Sequence, residues 1–185
     1  MINHKFSVIG ISETSLQDSA HTVDIDEYNF VHNYRNDRSG GGIGLYLSLD
    51  LEYKLRNDLR FPQQSCVESL FIEIITNSKG KNIIVGIVYR LPKQNVHDFL
   101  NSLNISIGLI TKENKICYIM VDFNLNFMNH QSHQLTAEFL DIMFGFMFFP
   151  LITLPTRITS HTATIIDNIF TNHSDNYSIN GLLFS

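Results

Sequence analysis

A chain of 185 residues is long enough to bury a substantial hydrophobic core, and we expect one domain spanning residues 1–185. The hydrophobic content of 44% is typical of a globular protein, and the formal net charge of −5 argues against binding nucleic acid by bulk positive charge alone. This charge is compatible with a nuclease, because an active site made of carboxylates is acidic until a divalent cation binds.

The first half of the sequence contains short apolar runs with the length of buried strands. Residues 6–11 form one such run, and the polar residues that follow would place Glu13 at the tip of the first strand. After a polar loop, a Gly-rich turn leads into a second strand. The predicted strands of this region cover residues 43–49, 70–75 and 83–89, at spacings that suit neighbours in one sheet.

Helical periodicity begins after residue 95. Apolar residues recur at i, i+3, i+4 and i+7 from residue 96 to residue 110, which predicts a helix with one buried stripe. Asn95 suits the N-cap position, and Asp98 follows three residues later. A second helix is predicted over residues 136–146.

Two further strands are predicted in the second half. Residues 116–121 form an apolar run in which Cys117 would be a buried thiol, and residues 164–170 form a run with Asp167 in its middle. Residues 139–154 are also apolar, but they fall short of the roughly 20 residues that a membrane span requires. We therefore predict no membrane association, and a buried helix end followed by a buried extended segment.

Strands and helices in this order predict a layered α/β domain.

The apolar strand that ends at Val121 runs directly into an Asp-x-Asn pair, Asp122 and Asn124. Side chains two residues apart at a strand end point to the same side, so both could face one reaction centre. The alternative is an ordinary turn, because both side chain types bond to nearby backbone.

Six segments occur in a fixed order along the chain, and no single one of them is specific. They are residues 11–14 (Ile-Ser-Glu-Thr), 39–46 (Ser-Gly-Gly-Gly-Ile-Gly-Leu-Tyr), 85–90 (Val-Gly-Ile-Val-Tyr-Arg), 121–124 (Val-Asp-Phe-Asn), 154–158 (Leu-Pro-Thr-Arg-Ile) and 164–170 (Thr-Ile-Ile-Asp-Asn-Ile-Phe). Together they resemble the endonuclease domain of non-LTR retrotransposons, within the endonuclease/exonuclease/phosphatase superfamily. The resemblance implies a DNase I-like sandwich of two mixed β-sheets flanked by helices, and hydrolysis of DNA phosphodiester bonds with Mg²⁺, or Mn²⁺ as the alternative ion.

The resemblance also implies a role for each matching residue. Glu13 would hold the metal ion, and the Tyr89 hydroxyl would contact the scissile phosphate. Asp122 would orient and deprotonate the attacking water. The remaining implied roles are stabilisation of the water and phosphate by Asn124, acceptance by Asp167 of a hydrogen bond from a catalytic histidine, and a phosphate contact by Arg90. Arg157 could also contact a DNA phosphate.

The sequence also departs from the family pattern. Val121 stands where the family has Gly, and the family's closing Ser-Asp-His strand with its catalytic histidine is not found. Ser174-Asp175-Asn176 only superficially resembles it, because this segment lies too early, has Asn in place of the histidine and is predicted as loop. The family's first strand, which carries a metal-site asparagine, is not found either. We therefore expect a domain that is incomplete at both termini, with unpaired strand edges and weak or no activity alone.

Other polar groups have plainer interpretations. The glycines of residues 40–42 lack the Lys-Ser/Thr of a phosphate-binding P-loop, which favours a flexible turn. His130 and His133 lack a third convergent metal ligand. Arg157 could instead pair with a surface acid, and Glu68 and Glu73 are predicted to lie on a solvated face.

Three classes of function remain open. The first is a DNA endonuclease that nicks target DNA to prime reverse transcription, with a reverse transcriptase domain in the same parent polyprotein. The second is a phosphatase or phosphodiesterase of the same superfamily, and the third is a non-catalytic remnant or interaction fragment.

The N-terminus has no apolar signal-peptide core, so we expect an intracellular protein. The family's DNA substrate implies the nucleus as the site of action.

Overall fold

The computed structural model describes residues 5–16, 24–33, 41–62, 67–76, 81–92 and 94–173. The elements found there are β1 (Val8–Ser12), β2 (Tyr28–Asn33), β3 (Ile43–Ser48), β4 (Tyr53–Leu55), β5 (Val67–Ile74), β6 (Ile83–Arg90), α1 (Val96–Lys112), β7 (Ile116–Asp122), α2 (Gln134–Gly145), β8 (Phe149–Pro150), β9 (Arg157–Ile158), β10 (Ala163–Thr164) and β11 (Asp167–Thr171).

A six-stranded mixed sheet forms the centre of the fold, with strand order β4-β5-β6-β7-β11-β8. Strands β6 and β7 are parallel, and every other pair in this sheet is antiparallel. Helix α1 makes the crossover between the two parallel strands, because a parallel pair cannot be joined by a tight turn. The carboxyl ends of β6 and β7 therefore lie side by side at one end of the sheet.

The two helices cover one face of this sheet. Helix α1 begins at the predicted N-cap, where the Asn95 side chain accepts a hydrogen bond from the His97 backbone N–H. Its apolar stripe packs with α2 and with the strands in a core rich in phenylalanine, in which Phe99, Phe123 and Phe139 are in ring contact. Cys117 is buried in this core, as predicted, and burial raises the pKa of its thiol.

A smaller antiparallel sheet of order β1-β3-β2 packs on the other face. Leu45 and Leu47 of β3 belong to a second buried hydrophobic cluster together with Leu70 and Ile72 of β5. The described residues therefore form the predicted layered α/β sandwich, with helices on one side of the large sheet and the small sheet on the other. Within them, β1 is an edge strand of the small sheet.

Several elements differ from the sequence prediction. Residues 28–33 were predicted as loop, but they form β2, which pairs with β3 along its whole length. The predicted strand 164–170 is divided into β10 and β11, so Asp167 begins a strand. Part of the apolar stretch predicted as buried is exposed, including Phe149 at 46% and Leu154 at 64%. No helix in the described ranges has the length and apolar character needed to cross a membrane.

A cluster of charged side chains closes the end of the large sheet where β6 and β7 begin. Glu73 is only 1% exposed, so its prediction as a solvated residue is wrong. Its carboxylate accepts hydrogen bonds from Arg56 Nη1 at 2.6 Å and Lys115 Nζ at 2.8 Å. Burial raises the pKa of Glu73, but hydrogen bonds from Lys115, Asn82 and Arg56 outweigh burial and bring it to about 2.

This cluster predicts a pH-dependent contribution to stability. The pKa of Glu73 is about 2 in the folded chain and 4.5 in the reference state, so its ion pairs stabilise the fold above pH 4.5 and are lost as the pH falls toward 2. We expect Glu73→Gln to lower the free energy of unfolding by about 3 kcal/mol at pH 7 and by much less at pH 2. Chemical denaturation across this pH range measures the difference. Glu52→Gln, at an exposed carboxylate, is the matched control, and a Glu73→Gln effect that does not change with pH would contradict the assignment.

Candidate active site

Three of the predicted site residues lie in a row across the end of the large sheet. Tyr89 on β6 is the register partner of Asp122 on β7, and Asp122 is the register partner of Asp167 on β11. Register partners on neighbouring strands project their side chains to the same face. Tyr89 belongs to the hydrophobic cluster between the two sheets, so the row faces the small sheet.

The end of β1 lies over this row. Glu13 directly follows β1, with a left-handed φ of 56° that turns the chain away from the strand direction. The Tyr89 hydroxyl donates a hydrogen bond of 2.6 Å to Glu13 Oε1, and the Ser12 hydroxyl donates one of 3.3 Å to Asp122 Oδ2. The structure thus brings Glu13, Tyr89, Asp122 and Asp167 together from four different strands.

The Asp122 carboxyl group is held in an unfavourable environment for a negative charge. Burial is the main reason that its pKa rises to about 6, and the negative charge of Asp167 adds to the rise, while the hydrogen bond from Ser12 lowers it. Its Oδ1 atom is buried without a hydrogen-bond partner among the described residues. Burial is also the main reason that the pKa of the Tyr89 hydroxyl is raised, and its hydrogen bond to Glu13 raises this pKa further.

Asp167 lies beside this group, and its pKa is raised mainly by burial. The Thr156 side chain and the positive charge of Arg157 lower it. Arg157 is exposed on the β9–β10 hairpin. Thr156 Oγ1 accepts a hydrogen bond of 3.4 Å from the Asp167 backbone N–H, whereas the resemblance implies a histidine beside the Asp167 carboxylate.

Asn124 is oriented differently from the prediction. Strand β7 ends at Asp122, and Asn124 has a left-handed φ of 52°, so the alternation of a strand does not extend to it. Its side-chain Nδ2 donates a hydrogen bond of 3.0 Å to the Arg90 carbonyl. The amide therefore fixes the end of β6 to the loop after β7, and its predicted contact with a water or phosphate remains a prediction.

Arg90 is a buried structural residue, which does not support its predicted contact with phosphate. It is 2% exposed. Its guanidinium donates to the carbonyl oxygens of Phe123 at 2.6 Å and Asn124 at 3.3 Å, and also to those of Leu91 and Gln94. Burial lowers its pKa, and the negative charge of Asp122 opposes this shift. Arg90 thus holds the loop that follows Asp122.

The donor set is compatible with a magnesium ion held by one or two carboxylates and by water. Glu13 is exposed, and its charge raises the pKa of both Asp122 and Asp167, so the three acids repel one another. No group of three or more His, Cys, Asp or Glu residues converges on a single point within the described ranges. Mg²⁺ commonly uses only one or two carboxylates and keeps several waters, so Glu13 and the free Oδ1 of Asp122 fit this ion.

A cleft with a volume of about 210 Å³ opens beside these acids. It lies between β1 and the strands β7 and β11, and it is lined by Gly10, Ser12, Met120, Asp122 and Asp167 among others. A Cβ atom on Gly10 would stand 2.7 Å from Met120 Sδ, so glycine allows β1 to approach the large sheet closely.

Sequence reasoning missed three residues that support the site. The Ser12 hydroxyl donates a hydrogen bond to Asp122, and the Thr156 hydroxyl oxygen accepts one of 3.4 Å from the Asp167 backbone N–H. The buried Glu68 accepts a hydrogen bond from the Gly42 backbone N–H. The alternation of faces along β1 could have indicated Ser12, because Ser12 lies on the same inward face of the strand as Gly10. Nothing local marks Thr156 or Glu68, because each contacts a segment distant in sequence.

Fold and site together define a class of protein: an α/β sandwich with an acidic cleft where the ends of two parallel strands meet a second sheet. Comparison with solved structures shows that the chain has the fold of the endonuclease/exonuclease/phosphatase superfamily, which is DNase I-like. The resemblance identified from the sequence is therefore confirmed at the level of the fold.

Three solved structures illustrate the match. The endonuclease domain of TRAS1, a telomere-specific non-LTR retrotransposon, has a TM-score of 0.59 at 12% identity, covering 79% of this chain and 67% of its own. The catalytic domain of Xenopus laevis APE2 has a TM-score of 0.63 at 11% identity, covering 90% and 74%. ANGEL2, a 2′,3′-cyclic phosphatase, has a TM-score of 0.59 at 12% identity, covering 89% and 70%. No family model and no curated protein matches the sequence.

The contrast between the two arginines predicts a difference in stability. We expect Arg90→Met to lower the free energy of unfolding by about 3 kcal/mol, because buried carbonyl oxygens lose their donor. The matched control is Arg157→Met at an exposed arginine, for which we expect a change within about 0.5 kcal/mol. Urea denaturation at pH 7 measures both. Equal effects of the two substitutions would contradict the structural role of Arg90.

The raised pKa of Asp122 predicts that this residue destabilises the metal-free fold at neutral pH. Its pKa is about 6 in the folded chain against 3.8 in the reference state, so its contribution to stability is present below pH 3.8 and is lost as the pH rises through 6. We expect Asp122→Asn to raise the free energy of unfolding by about 2 kcal/mol at pH 8 in the presence of a chelator. The gain should disappear near pH 4. Asp26→Asn, at an exposed acid, is the control, and a destabilised Asp122→Asn variant at pH 8 would contradict the prediction.

Proposed function

We propose that this chain is a DNA endonuclease domain of the retrotransposon type, which hydrolyses phosphodiester bonds with Mg²⁺ or, alternatively, Mn²⁺. The observation that carries the proposal is the row of Tyr89, Asp122 and Asp167 with Glu13 hydrogen-bonded above it. The fold shared with the TRAS1 endonuclease domain supports DNA as the substrate. The parent polyprotein would also contain a reverse transcriptase, and the nick would prime reverse transcription in the nucleus.

Each residue has a role in the proposed reaction. Glu13 and Asp122 Oδ1 would hold the magnesium ion, which supplies positive charge to a phosphate oxygen when bound. Asp122 would orient the attacking water and accept its proton. The Tyr89 hydroxyl is protonated at neutral pH, and its one donor hydrogen, which bonds Glu13 in this structure, would turn to the scissile phosphate when substrate binds. Arg157 is accessible to a flanking phosphate.

We further propose that the activity of the chain alone is weak. The resemblance requires a histidine beside Asp167, whereas the neighbouring side chains that lower the pKa of Asp167 in the described part of the chain are Thr156 and Arg157. His130 and His133 bond elsewhere, to the Phe127 carbonyl and the Thr136 hydroxyl. General acid–base catalysis typically contributes about 10² to 10⁴ in rate, so this loss would leave slow cleavage.

Plasmid nicking tests the proposal. We expect the purified chain to relax supercoiled plasmid slowly with Mg²⁺ and not with a chelator. Asp122→Ala should reduce the rate by about 10² or more, because it removes the water-orienting carboxylate. Tyr89→Phe should reduce it by a smaller factor, and Asp141→Ala, at an exposed acid on α2, should not change it. Nicking that is insensitive to Asp122→Ala would contradict the assignment of the site, and rapid nicking would contradict the proposed weakness.

A second candidate is a phosphatase or phosphodiesterase that acts on small molecules. The fold shared with ANGEL2 favours it, because that protein is a 2′,3′-cyclic phosphatase. A panel of small phosphomonoesters and cyclic phosphodiesters separates the candidates: turnover of the panel without plasmid nicking would support the second. Failure on every substrate, together with no binding of Mn²⁺, would support a non-catalytic remnant.

A further inference from the structure

The turn at Gly41 and Gly42 positions the backbone next to Glu13. Both glycines have left-handed φ angles, of 78° and 89°. Their carbonyl oxygens accept hydrogen bonds from the segment that follows Glu13: Gly42 from the Thr14 N–H at 3.2 Å and Gly41 from the Ser15 N–H at 2.7 Å. The backbone of the segment that follows Glu13 is therefore held in place by hydrogen bonds to this turn.

The side chain of Glu68 holds the Gly41–Gly42 turn by a hydrogen bond. Its carboxylate is buried, and Oε2 accepts a hydrogen bond of 2.7 Å from the Gly42 backbone N–H. A Cβ atom at Gly41 would stand 2.8 Å from Glu68 Oε1, so the carboxylate fits closely under a turn without side chains. A residue with a side chain at Gly41 would displace it.

Glu68 also lies next to Tyr89. The two residues are register partners on β5 and β6, so their side chains share a face of the large sheet. The Tyr89 hydroxyl holds the Glu13 carboxylate at 2.6 Å, while the Gly41–Gly42 turn holds the backbone that follows Glu13. Glu13 is thereby restrained at two points, and both restraints begin at adjacent positions of β5 and β6.

We propose that Glu68 is a positioning residue that fixes the place of Glu13 through Gly42 and thereby sets the affinity of the site for a divalent cation. It acts through its hydrogen bond to the Gly42 N–H, which requires an acceptor oxygen at the reach of a glutamate side chain. In this proposal the hydrogen bond matters more for the position of Glu13 than the negative charge of Glu68 does. The inference rests on the proposed function only in that Glu13 holds the cation.

Two conservative substitutions separate reach from charge. Glu68→Gln keeps an oxygen at the same distance and removes the charge, whereas Glu68→Asp keeps the charge and shortens the side chain by one methylene. Removing an interaction that orients a metal ligand typically costs about 10- to 100-fold in affinity. We expect Glu68→Asp to weaken the binding of Mn²⁺ about tenfold or more, and Glu68→Gln to leave it within about threefold of the original chain.

Ser69→Ala is the matched control for loss of a buried hydrogen bond. Ser69 is the next residue on β5, and its hydroxyl accepts a hydrogen bond of 2.8 Å from the Phe61 N–H. We expect this variant to lose stability comparable to that lost by Glu68→Asp while it binds Mn²⁺ normally. Titration of the purified chains with Mn²⁺ alone, followed by the electron paramagnetic resonance of the free ion, measures all affinities.

Hydrogen exchange provides a readout that does not depend on any metal. The N–H groups of Thr14 and Ser15 bond to the glycine turn, so Glu68→Asp should increase their exchange rates, while Glu68→Gln and Ser69→Ala should not. Increased exchange in a chain that binds no Mn²⁺ would support the positioning contact and contradict the proposed metal site. Equal losses of affinity in Glu68→Asp and Glu68→Gln, or unchanged exchange in Glu68→Asp, would overturn the proposal.

Discussion

The join between the two sheets at the end of β1 is the constraint on which the site depends. The hydrogen bonds from Tyr89 to Glu13 and from Ser12 to Asp122 connect the small sheet to the large one where the parallel strands end. Neither sheet carries the site alone, because Glu13 belongs to one and Asp122 to the other. Glycine at position 10 permits this close approach, since a side chain there would meet Met120.

Buried carboxyl groups lie at both ends of the large sheet, and their surroundings shift their pKa values in opposite directions. At one end Glu73 is surrounded by hydrogen-bonding cations, and its pKa falls to about 2. At the other end Asp122 and Asp167 have raised pKa values, and burial is the leading cause for both. A buried charge that is not compensated costs stability, and such costs concentrate at functional sites. The cation-rich cluster stabilises the fold, whereas the acidic end is suited to binding a cation.

Around the acidic end, two buried charged side chains bind the backbone of the loops that carry site residues. Arg90 binds the carbonyl oxygens of the loop after β7, and Glu68 binds the turn that holds the segment after Glu13. Both are buried and charged, and both flank Tyr89 at the end of the sheet. The fold is shared by the TRAS1 endonuclease domain and by ANGEL2, a 2′,3′-cyclic phosphatase, so the fold alone does not select a substrate.

The sequence by itself determined the layered α/β class, the helix that begins after Asn95, and the long buried strands, because hydrophobic periodicity and capping are local. Motif order also indicated Glu13, Tyr89, Asp122 and Asp167, and the structure brings these four together. Only the tertiary structure decided that residues 28–33 form a strand, that Glu68 and Glu73 are buried, and that Arg90 binds backbone. The physical reason is that these outcomes depend on partners distant in sequence: a short strand needs its neighbour, and a charged side chain is buried only where the fold supplies a partner.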